Sequence, residues 1–197
     1  TSMQEATMKD IIQDLIDRGM LDNFSDREHI EKMLQTKQTI YCGFDPSAKS
    51  MQLGNFVMIT VLRRLQQAGH RIIAVIGGGT GMIGDPSGKT DMRKMLSRED
   101  INHNVECLKK QIEKFVSFEG ENAAIIVNNA DWLLDFKFVD FMREIGSLFS
   151  VNKMLAAECY KQRLETGLTF FEMSYMLMQS YDFLHLYNEY GCKLELG

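Results

Sequence analysis

Apolar residues recur every three or four positions along much of the chain, which is the spacing of one face of an α-helix. The first stripe covers residues 5–18 and ends at Gly19. Ser25 to Glu28 then fits a capping box that opens a second helix, reaching about residue 35. The same periodicity predicts five later helices, at residues 53–68, 97–117, 137–145, 150–165 and 170–188.

Short apolar runs between these helices predict β-strands, at residues 38–43, 71–76, 124–127 and 192–196. The run from Arg71 to Ile76 has the continuous apolar character of a strand that is buried on both faces. Strand, helix and strand follow one another from residue 38 to residue 76, which predicts a right-handed βαβ unit. The pattern therefore indicates an α/β fold with a parallel sheet, N-terminal helices and a helical insertion.

Composition and charge narrow the range of functions. The 197 residues, 45% of them apolar, suffice for the core of one domain. No apolar run approaches the roughly 20 residues of a membrane helix, and no signal peptide opens the chain. The four cysteines and four histidines lack metal-ligand spacing, so we expect reduced thiols, no metal site and a cytoplasmic location. The net charge of −5 argues against a broad nucleic-acid-binding surface.

The glycine-rich stretch AVIGGGTGMIGDPSGKT, at residues 74–90, partly matches two nucleotide-binding motifs. Its spaced glycines fit G-x-G-x-x-G, but the residues after Gly84 (Asp85-Pro86-Ser87) favour a turn over the helix that a dinucleotide site requires. Its end, GKT, resembles a phosphate-binding loop, but that motif requires a glycine where the chain has Ile83. A turn that is neither motif is the better interpretation.

In open α/β sheets, ligands bind at the carboxyl ends of strands, where the strand order reverses. The first predicted strand leads into the loop 42–47, and the second leads into the glycine-rich stretch. The two loops are therefore expected to lie side by side over one pocket. The helix at 53–68 would offer its free amides to an anion, and Gly54 would let a purine or ribose approach the backbone.

Four segments, in this order, carry a more specific signal: YCGFDPSAKSMQLGN, AGHRIIAVIGGGTGMIGDPSGK, NNADW and FFEMSYMLMQSYDFLHLY. They resemble the bacterial type of tyrosyl-tRNA synthetase, a class I synthetase family with a Rossmann-like catalytic core. The similarity runs from about residue 5 to residue 197. It implies ATP-dependent activation of L-tyrosine to tyrosyl-adenylate, followed by transfer of the tyrosyl group to tRNA(Tyr).

The resemblance assigns one group of residues to the amino acid. Tyr41 and Asp182 would bind the phenol. Other residues would hold the ammonium group or support the pocket: Asp85, Tyr175 and Gln179 for the ammonium group, and Asn129 and Trp132 for support. Positions 175, 179 and 182 share one helical face, as a common pocket wall requires.

A second group is assigned to ATP, which would arrive with Mg²⁺ but without a dedicated protein cage for the ion. Cys42 would touch the ribose, and the backbone amide of Asp45 would contact the α-phosphate. Ser47, Lys89 and Arg93 would lie near the pyrophosphate. The resulting nucleotide-binding set is Cys42, Gly43, Asp45 and Gly54, and the catalytic set is Ser47, Gln52, Asn55, Lys89 and Arg93.

The helix-start motif departs from the family's His-x-Gly-His and reads Gln52-Leu53-Gly54-Asn55. Asn55 can still donate to a ribose, but neutral Gln52 would stabilise a leaving pyrophosphate less than an imidazole would. This predicts an active but slower enzyme. Two alternatives stay open: a paralogue that activates tyrosine but charges no tRNA, and a non-catalytic pseudo-enzyme that binds tyrosine or RNA.

The chain ends before the family's Gly-Ser-Asp-Gln-Trp stretch, its Lys-Met-Ser-Lys-Ser loop and its anticodon-binding domain. We therefore expect an N-terminal helical segment (1–36) and an incomplete, C-terminally truncated core (37–197) with a mainly helical insertion at about 97–170. This piece alone is expected not to aminoacylate tRNA. The resemblance also implies a homodimer that pairs around Phe170, with no membrane association.

Overall fold

Four parallel strands form the centre of the computed structural model, which describes residues 11–51, 53–82 and 96–197. The strands are β1 (Thr39–Phe44), β2 (Arg71–Ile76), β3 (Ile125–Asn128) and β4 (Leu194–Leu196). Their order is β3-β2-β1-β4, and every neighbouring pair is parallel. Because β2 and β3 lie on one side of β1 and β4 on the other, the strand order reverses at β1. The predicted α/β fold with a parallel sheet is confirmed.

Helices connect and cover these strands. Residues 11–17 form the described part of α1. The others are α2 (Arg27–Met33), α3 (Leu53–Gln67), α4 (Arg98–Ile112), α5 (Ala130–Leu133), α6 (Phe138–Glu144), α7 (Val151–Leu155), α8 (Glu158–Leu164), α9 (Phe170–Met173) and α10 (Tyr175–Tyr190). Single 3₁₀ turns occur at Thr80–Met82 and Gly146–Leu148.

Both faces of the sheet are buried, which explains why β1 and β2 are almost continuously apolar. On one face, Ile40 and Phe44 of β1 share a core with side chains of α1, α3 and α4. On the other face, Tyr41 of β1 packs with Ile73 of β2 and Leu186 of α10. Alternate side chains of β1 therefore pack into two different hydrophobic cores, one on each face of the sheet. As a result Tyr41 lies on the α10 side of the sheet.

Several helix boundaries differ from those that the pattern predicts. The prediction of a capping box at Ser25 to Glu28 is wrong. The N-cap of α2 is Asp26, whose side chain accepts the His29 N–H at 3.0 Å. The stretch 150–165 divides into α7 and α8 because Ala157 adopts extended geometry. A capping box does occur at Thr169, which exchanges hydrogen bonds with Glu172 at the start of α9. α10 continues to Tyr190 and ends at Gly191, whose φ of 65° suits glycine.

The predicted helix 170–188 is interrupted at Ser174 by a side chain from another element. The Tyr160 hydroxyl donates to the Met173 carbonyl at 2.8 Å and accepts the Met176 N–H at 3.3 Å. In an unbroken helix, backbone groups four residues away would take these hydrogen bonds. Buried Tyr160 thus holds the junction between α9 and α10.

The helices between β3 and α10 pack against α10 in a small core of their own, built around Met154, Tyr160 and Leu177. A buried ion pair between Arg163 and Glu172, 2.7 Å long, links α8 to α9 beside it. The broader stretch 97–170 also includes α4 and β3, which belong to the sheet and its core. The proposed division of the chain at residues 36 and 37 stays a prediction.

His70, just before β2, is buried and uncharged at neutral pH. Its Nδ1 accepts the Gln38 N–H at 3.1 Å, whereas its Nε2 has no hydrogen-bond partner among the described residues. Burial lowers the pKa of His70 from 6.5 to about 4. In the unfolded chain this imidazole takes up a proton below about pH 6.5, but in the folded protein only near pH 4. Its contribution to stability is therefore present above pH 6.5 and is lost as the pH falls towards 4.

We expect His70→Asn, which keeps an acceptor near the Gln38 N–H, to flatten the loss of stability between pH 7 and pH 5. The linked free energy for wild-type His70 is on the order of 3 kcal/mol at most. Urea unfolding at several pH values measures it, and His29→Asn, at an exposed position, is the matched control. Equal pH dependence in wild type and His70→Asn would contradict this assignment.

Candidate functional site

A cavity of about 270 Å³ opens at the carboxyl end of the sheet, bounded by β1, β2, β4, the turn after β2 and α10. This is the edge at which ligands bind in open α/β sheets. Residues from distant parts of the chain meet there. Those that the sequence predicts for the site and that line the cavity are Tyr41, Gly43, Asp45, Asn55, Asn129, Tyr175, Gln179 and Asp182.

Asp182 is a buried carboxylate that points into this cavity from α10. It is 6% exposed, and both of its oxygens accept hydrogen bonds. Asn129 Nδ2 donates to Oδ2 at 2.9 Å, and Trp132 Nε1 donates to Oδ1 at 2.8 Å. Burial raises the pKa of Asp182 to about 6, although these two hydrogen bonds act in the opposite direction. The group is thus fixed in position and changes charge close to neutral pH.

Asn129 connects this carboxylate to the turn after β2. Its Oδ1 accepts the Gly79 N–H at 2.8 Å, and its Nδ2 also donates to Thr80 Oγ1 at 3.1 Å. The amide orientation follows from its partners, because a backbone N–H requires an acceptor and a carboxylate requires a donor. Asn129 is 1% exposed, so these contacts are shielded from water.

The glycine-rich turn is built for close packing against two asparagines. The Gly78 N–H donates to Asn128 Oδ1 at 3.1 Å, and a Cβ at Gly78 would collide with that side-chain amide. A Cβ at Gly79 would lie 3.2 Å from Asn129 Oδ1, closer than ordinary contact. The amides of Gly78 and Gly79 are therefore engaged by protein oxygens rather than presented to a phosphate.

Tyr41 and Glu195 lie side by side along the cavity wall, Tyr41 buried and Glu195 partly in contact with solvent. They are directly paired in the parallel ladder of β1 and β4, so their side chains leave the same face of the sheet. The Tyr41 hydroxyl is buried, and among the described residues its only hydrogen-bonding interaction is a loose one with the Glu195 carboxylate. Burial and the nearby Glu195 carboxylate raise the pKa of Tyr41 well above its usual value. Burial also raises the pKa of Glu195, and the interaction with Tyr41 partly opposes that rise.

Sequence reasoning did not identify Glu195. The available signal was a carboxylate between Leu194 and Leu196 in a short strand at the ligand-binding edge of the sheet. Its proximity to Tyr41 depends on the pairing of β4 with β1, which joins residues that are far apart in the sequence.

On the α10 side, Tyr175, Gln179 and Asp182 line the cavity together, as the spacing of one helical face predicts. Trp132 lies behind Asp182 and stacks on His185, with ring centroids 4.2 Å apart. Its indole therefore donates to the carboxylate while its ring packs on a second side chain of α10.

Some of the residues predicted to contact a nucleotide line the cavity, and others do not. Gly43, Asp45 and Asn55 line the open side of the cavity. A Cβ at Gly43 or Gly54 would have open space around it, so the backbone there is accessible to a flat ligand. The Cys42 side chain faces the opposite core, the whole residue is only 2% exposed, and Cys42 does not line the cavity.

Other predicted residues lie further from the cavity or outside the described part of the chain. Ser47 is exposed in the loop after β1 and does not line the cavity. Gln52, Asp85, Lys89 and Arg93 lie outside the described residues, as does Gly84.

Within the described ranges, no group of three or more His, Cys, Asp or Glu residues could hold a metal ion. All four cysteines lie in these ranges and are free thiols. A search of the same residues for a helix long and apolar enough to cross a membrane found none.

Comparison with known proteins identifies the relatives of this chain. Residues 32–197 match the family model of the class I tRNA synthetases for tryptophan and tyrosine (W and Y). The tyrosine–tRNA ligase of Clostridium botulinum is 56% identical over 191 residues, which cover 96% of this chain and 47% of the relative. That of Acetivibrio thermocellus is 54% identical over the same shares of the two chains. The chain thus spans about half the length of the curated relatives that it matches.

Solved structures show the same fold at lower sequence identity. A C-terminally truncated mitochondrial tyrosyl-tRNA synthetase of Aspergillus nidulans matches with a TM-score of 0.85 and 23% identity, covering 100% of this chain and 61% of that one. The tyrosyl-tRNA synthetase of Archaeoglobus fulgidus, complexed with L-tyrosine, matches with a TM-score of 0.69 and 21% identity, covering 94% and 54%. The predicted Rossmann-like class I synthetase fold is confirmed.

The chain's single tryptophan makes the Asp182 charge visible by fluorescence. Since Trp132 Nε1 donates to Asp182, we expect its emission to change with a midpoint near pH 6, the pKa of Asp182. Asp182→Asn should abolish this transition. His185→Phe, which keeps an aromatic ring against the indole, should preserve it. A transition that survives Asp182→Asn but disappears in His185→Phe would assign the titration to the imidazole instead.

Proposed function

Because the chain belongs to the class I tRNA synthetase family of the tryptophan and tyrosine enzymes, we propose that it is the catalytic part of a tyrosine–tRNA ligase. The observation that carries this proposal is the buried Asp182 carboxylate, which is held by Asn129 and Trp132 and lines the same cavity as Tyr41. A phenol offers one hydrogen-bond donor together with acceptor lone pairs, and this pair of residues supplies the matching acceptor and donor.

The rest of the cavity suits the remainder of the amino acid. With the phenol between Tyr41 and Asp182, Tyr175 and Gln179 lie along α10 where they can receive the ammonium group. Asp85 is proposed as the anionic partner of that group, on the basis of the sequence resemblance alone. The tyrosine carboxylate then points to the open side of the cavity, towards Gly43, Asp45 and Asn55.

ATP is proposed to occupy this open side. Accessible backbone at Gly43 and Gly54, and the amide of Asn55, suit a ribose and its α-phosphate. The tyrosine carboxylate is already ionised, so in-line attack on the α-phosphate requires positioning and charge stabilisation rather than a general base. Ser47, Gln52, Lys89 and Arg93 are the candidates for stabilising the pyrophosphate, and Mg²⁺ would enter with the nucleotide phosphates.

Tyrosine-dependent exchange of pyrophosphate into ATP by the complete protein tests this function. We expect exchange that depends on tyrosine, followed by tyrosylation of tRNA(Tyr). Exchange without tRNA charging would favour the paralogue that only activates tyrosine. Tyrosine binding without exchange would favour a pseudo-enzyme, an alternative that Gln52 at the helix start keeps open.

A homodimer and a cytoplasmic location are also proposed. Large apolar side chains are exposed on the helices between β3 and α10, including Phe138 at 73%, Leu148 at 74% and Phe170 at 63%. Large apolar side chains exposed on a folded protein are candidates for a protein interface. A second copy of the chain is the partner that the sequence resemblance implies, and the predicted Phe170 is one of these side chains.

The phenol assignment predicts a loss of amino-acid selectivity. Phenylalanine would leave Tyr41 and Asp182 without a substrate partner, a penalty of about 1–3 kcal/mol for each buried polar group. In the complete protein, Tyr41→Phe combined with Asp182→Asn should therefore bring tyrosine- and phenylalanine-dependent exchange much closer together. Tyr181→Phe is the matched control, since Tyr181 packs on Phe136 outside the cavity. Selectivity that the double substitution leaves intact would reject the assignment.

The dimer proposal predicts that Phe170→Glu shifts the complete protein towards monomer, because a buried charge opposes association. Sedimentation velocity at several concentrations measures the shift. Phe118→Glu is the control, since Phe118 is 42% exposed after α4 and belongs to a different surface. A dimer that withstands Phe170→Glu would place the interface elsewhere.

A further inference from the structure

Tyr41 separates two carboxylates in this site. Asp182 faces it from α10, and Glu195 is its direct neighbour on β4. All three side chains line the same cavity, and among the described residues the Tyr41 hydroxyl has only a loose hydrogen-bonding interaction, with Glu195. If a substrate phenol lies between Tyr41 and Asp182, the four oxygen-bearing groups form a row: Glu195, Tyr41, the phenol and Asp182.

A count of protons shows that this row is incomplete when both carboxylates are ionised. Three contacts between neighbouring oxygens need three protons, because each hydrogen bond uses one. The Tyr41 hydroxyl brings one proton and the substrate phenol brings another. The third has to come from solvent and reside on a carboxyl group. Without this third proton, two neighbouring oxygens would face each other with lone pairs only. A hydrogen bond would then be missing inside the site, which costs free energy.

The contacts of the two carboxylates decide where the third proton resides. Both Asp182 oxygens already accept hydrogen bonds, from Asn129 and Trp132, which favour the ionised form. Among the described residues, Glu195 has no comparable donors apart from its interaction with Tyr41. A protonated Glu195 can donate to Tyr41, which then donates to the phenol, which donates to Asp182.

We propose that Glu195 is a positioning residue for tyrosine: it takes up a proton when the amino acid binds and thereby directs the Tyr41 hydroxyl towards the substrate. This inference rests on the proposed function, since it requires a phenol at the Tyr41–Asp182 end of the cavity. The Glu195 side chain keeps contact with solvent, so the proton has a route to it.

Other ionisable groups surround this row and have to be separated from Glu195. They are Asp45 after β1, Tyr175 on α10, and Cys192 and Lys193 before β4. After burial, the Glu195 charge is a smaller cause of the raised pKa of Asp182, so the charge on one carboxyl group affects the titration of the other. A comparison of variants therefore measures proton uptake by Glu195 more reliably than the pH dependence of the wild-type protein alone.

The test is calorimetric titration of tyrosine into the complete protein, in buffers with different enthalpies of ionisation. We expect wild-type protein to take up about half a proton or more per tyrosine at pH 7. Glu195→Gln supplies the third hydrogen from its amide, so it should take up almost none. It should also bind tyrosine about three- to tenfold more tightly than wild type at pH 8, where the wild-type carboxylate resists protonation.

Three controls isolate the proton uptake at Glu195. Glu189→Gln removes the same charge from an exposed position on α10 and should keep the wild-type proton uptake. Tyr41→Phe keeps Glu195 but breaks the row, so its uptake should fall like that of Glu195→Gln. Phenylalanine, which lacks the hydroxyl, should bind to wild type without proton uptake.

Equal proton uptake by wild type and Glu195→Gln, or tyrosine binding by wild type with no uptake, would overturn this inference and leave the proposed function in place. A wild-type protein that binds no tyrosine would instead reject the proposed function, and this inference with it.

Discussion

A buried carboxylate constrains this structure more than any other single group. An ionised aspartate removed from water is tolerated only when hydrogen-bond donors replace the lost hydration. The fold brings two such donors to Asp182 from the segment after β3, and each hydrogen bond to a charged group contributes about 1.5–3 kcal/mol. Asn129, one of these two donors, also accepts the Gly79 N–H and so fixes the turn after β2. One network therefore holds together α10, the end of β3 and the glycine-rich turn.

The sheet order places this network where a ligand can reach it. Because β2 and β4 lie on opposite sides of β1, the loops after β1 and β2 and the strand β4 all border one cavity. Side-chain alternation along β1 then directs Tyr41 to the cavity and Cys42 to the opposite core. The proposed amino-acid side of the site is thus built from the sheet and the long helix α10, whereas the proposed nucleotide side combines the end of β1, the loop after it and the start of α3.

The sequence predicts what depends on periodicity and on local chemistry. The strand from Arg71 to Ile76 has the bounds that its apolar run predicts. Asp182 stands out because a carboxylate within an apolar helix needs partners, and the structure supplies them. The helix break at Ser174 could not be read from the chain, since it depends on the hydroxyl of Tyr160, a residue of another helix. Glu195 was missed for a similar reason, because its importance comes from strand pairing.

The claim on which the account depends is that a phenol lies between Tyr41 and Asp182, and a crystal structure of the complete protein with bound L-tyrosine tests it most directly. The account predicts the substrate hydroxyl within hydrogen-bond distance of both Tyr41 Oη and an Asp182 carboxylate oxygen, with the ammonium group near Tyr175 and Gln179. Tyrosine bound in the reverse orientation, or outside this cavity, would contradict the account.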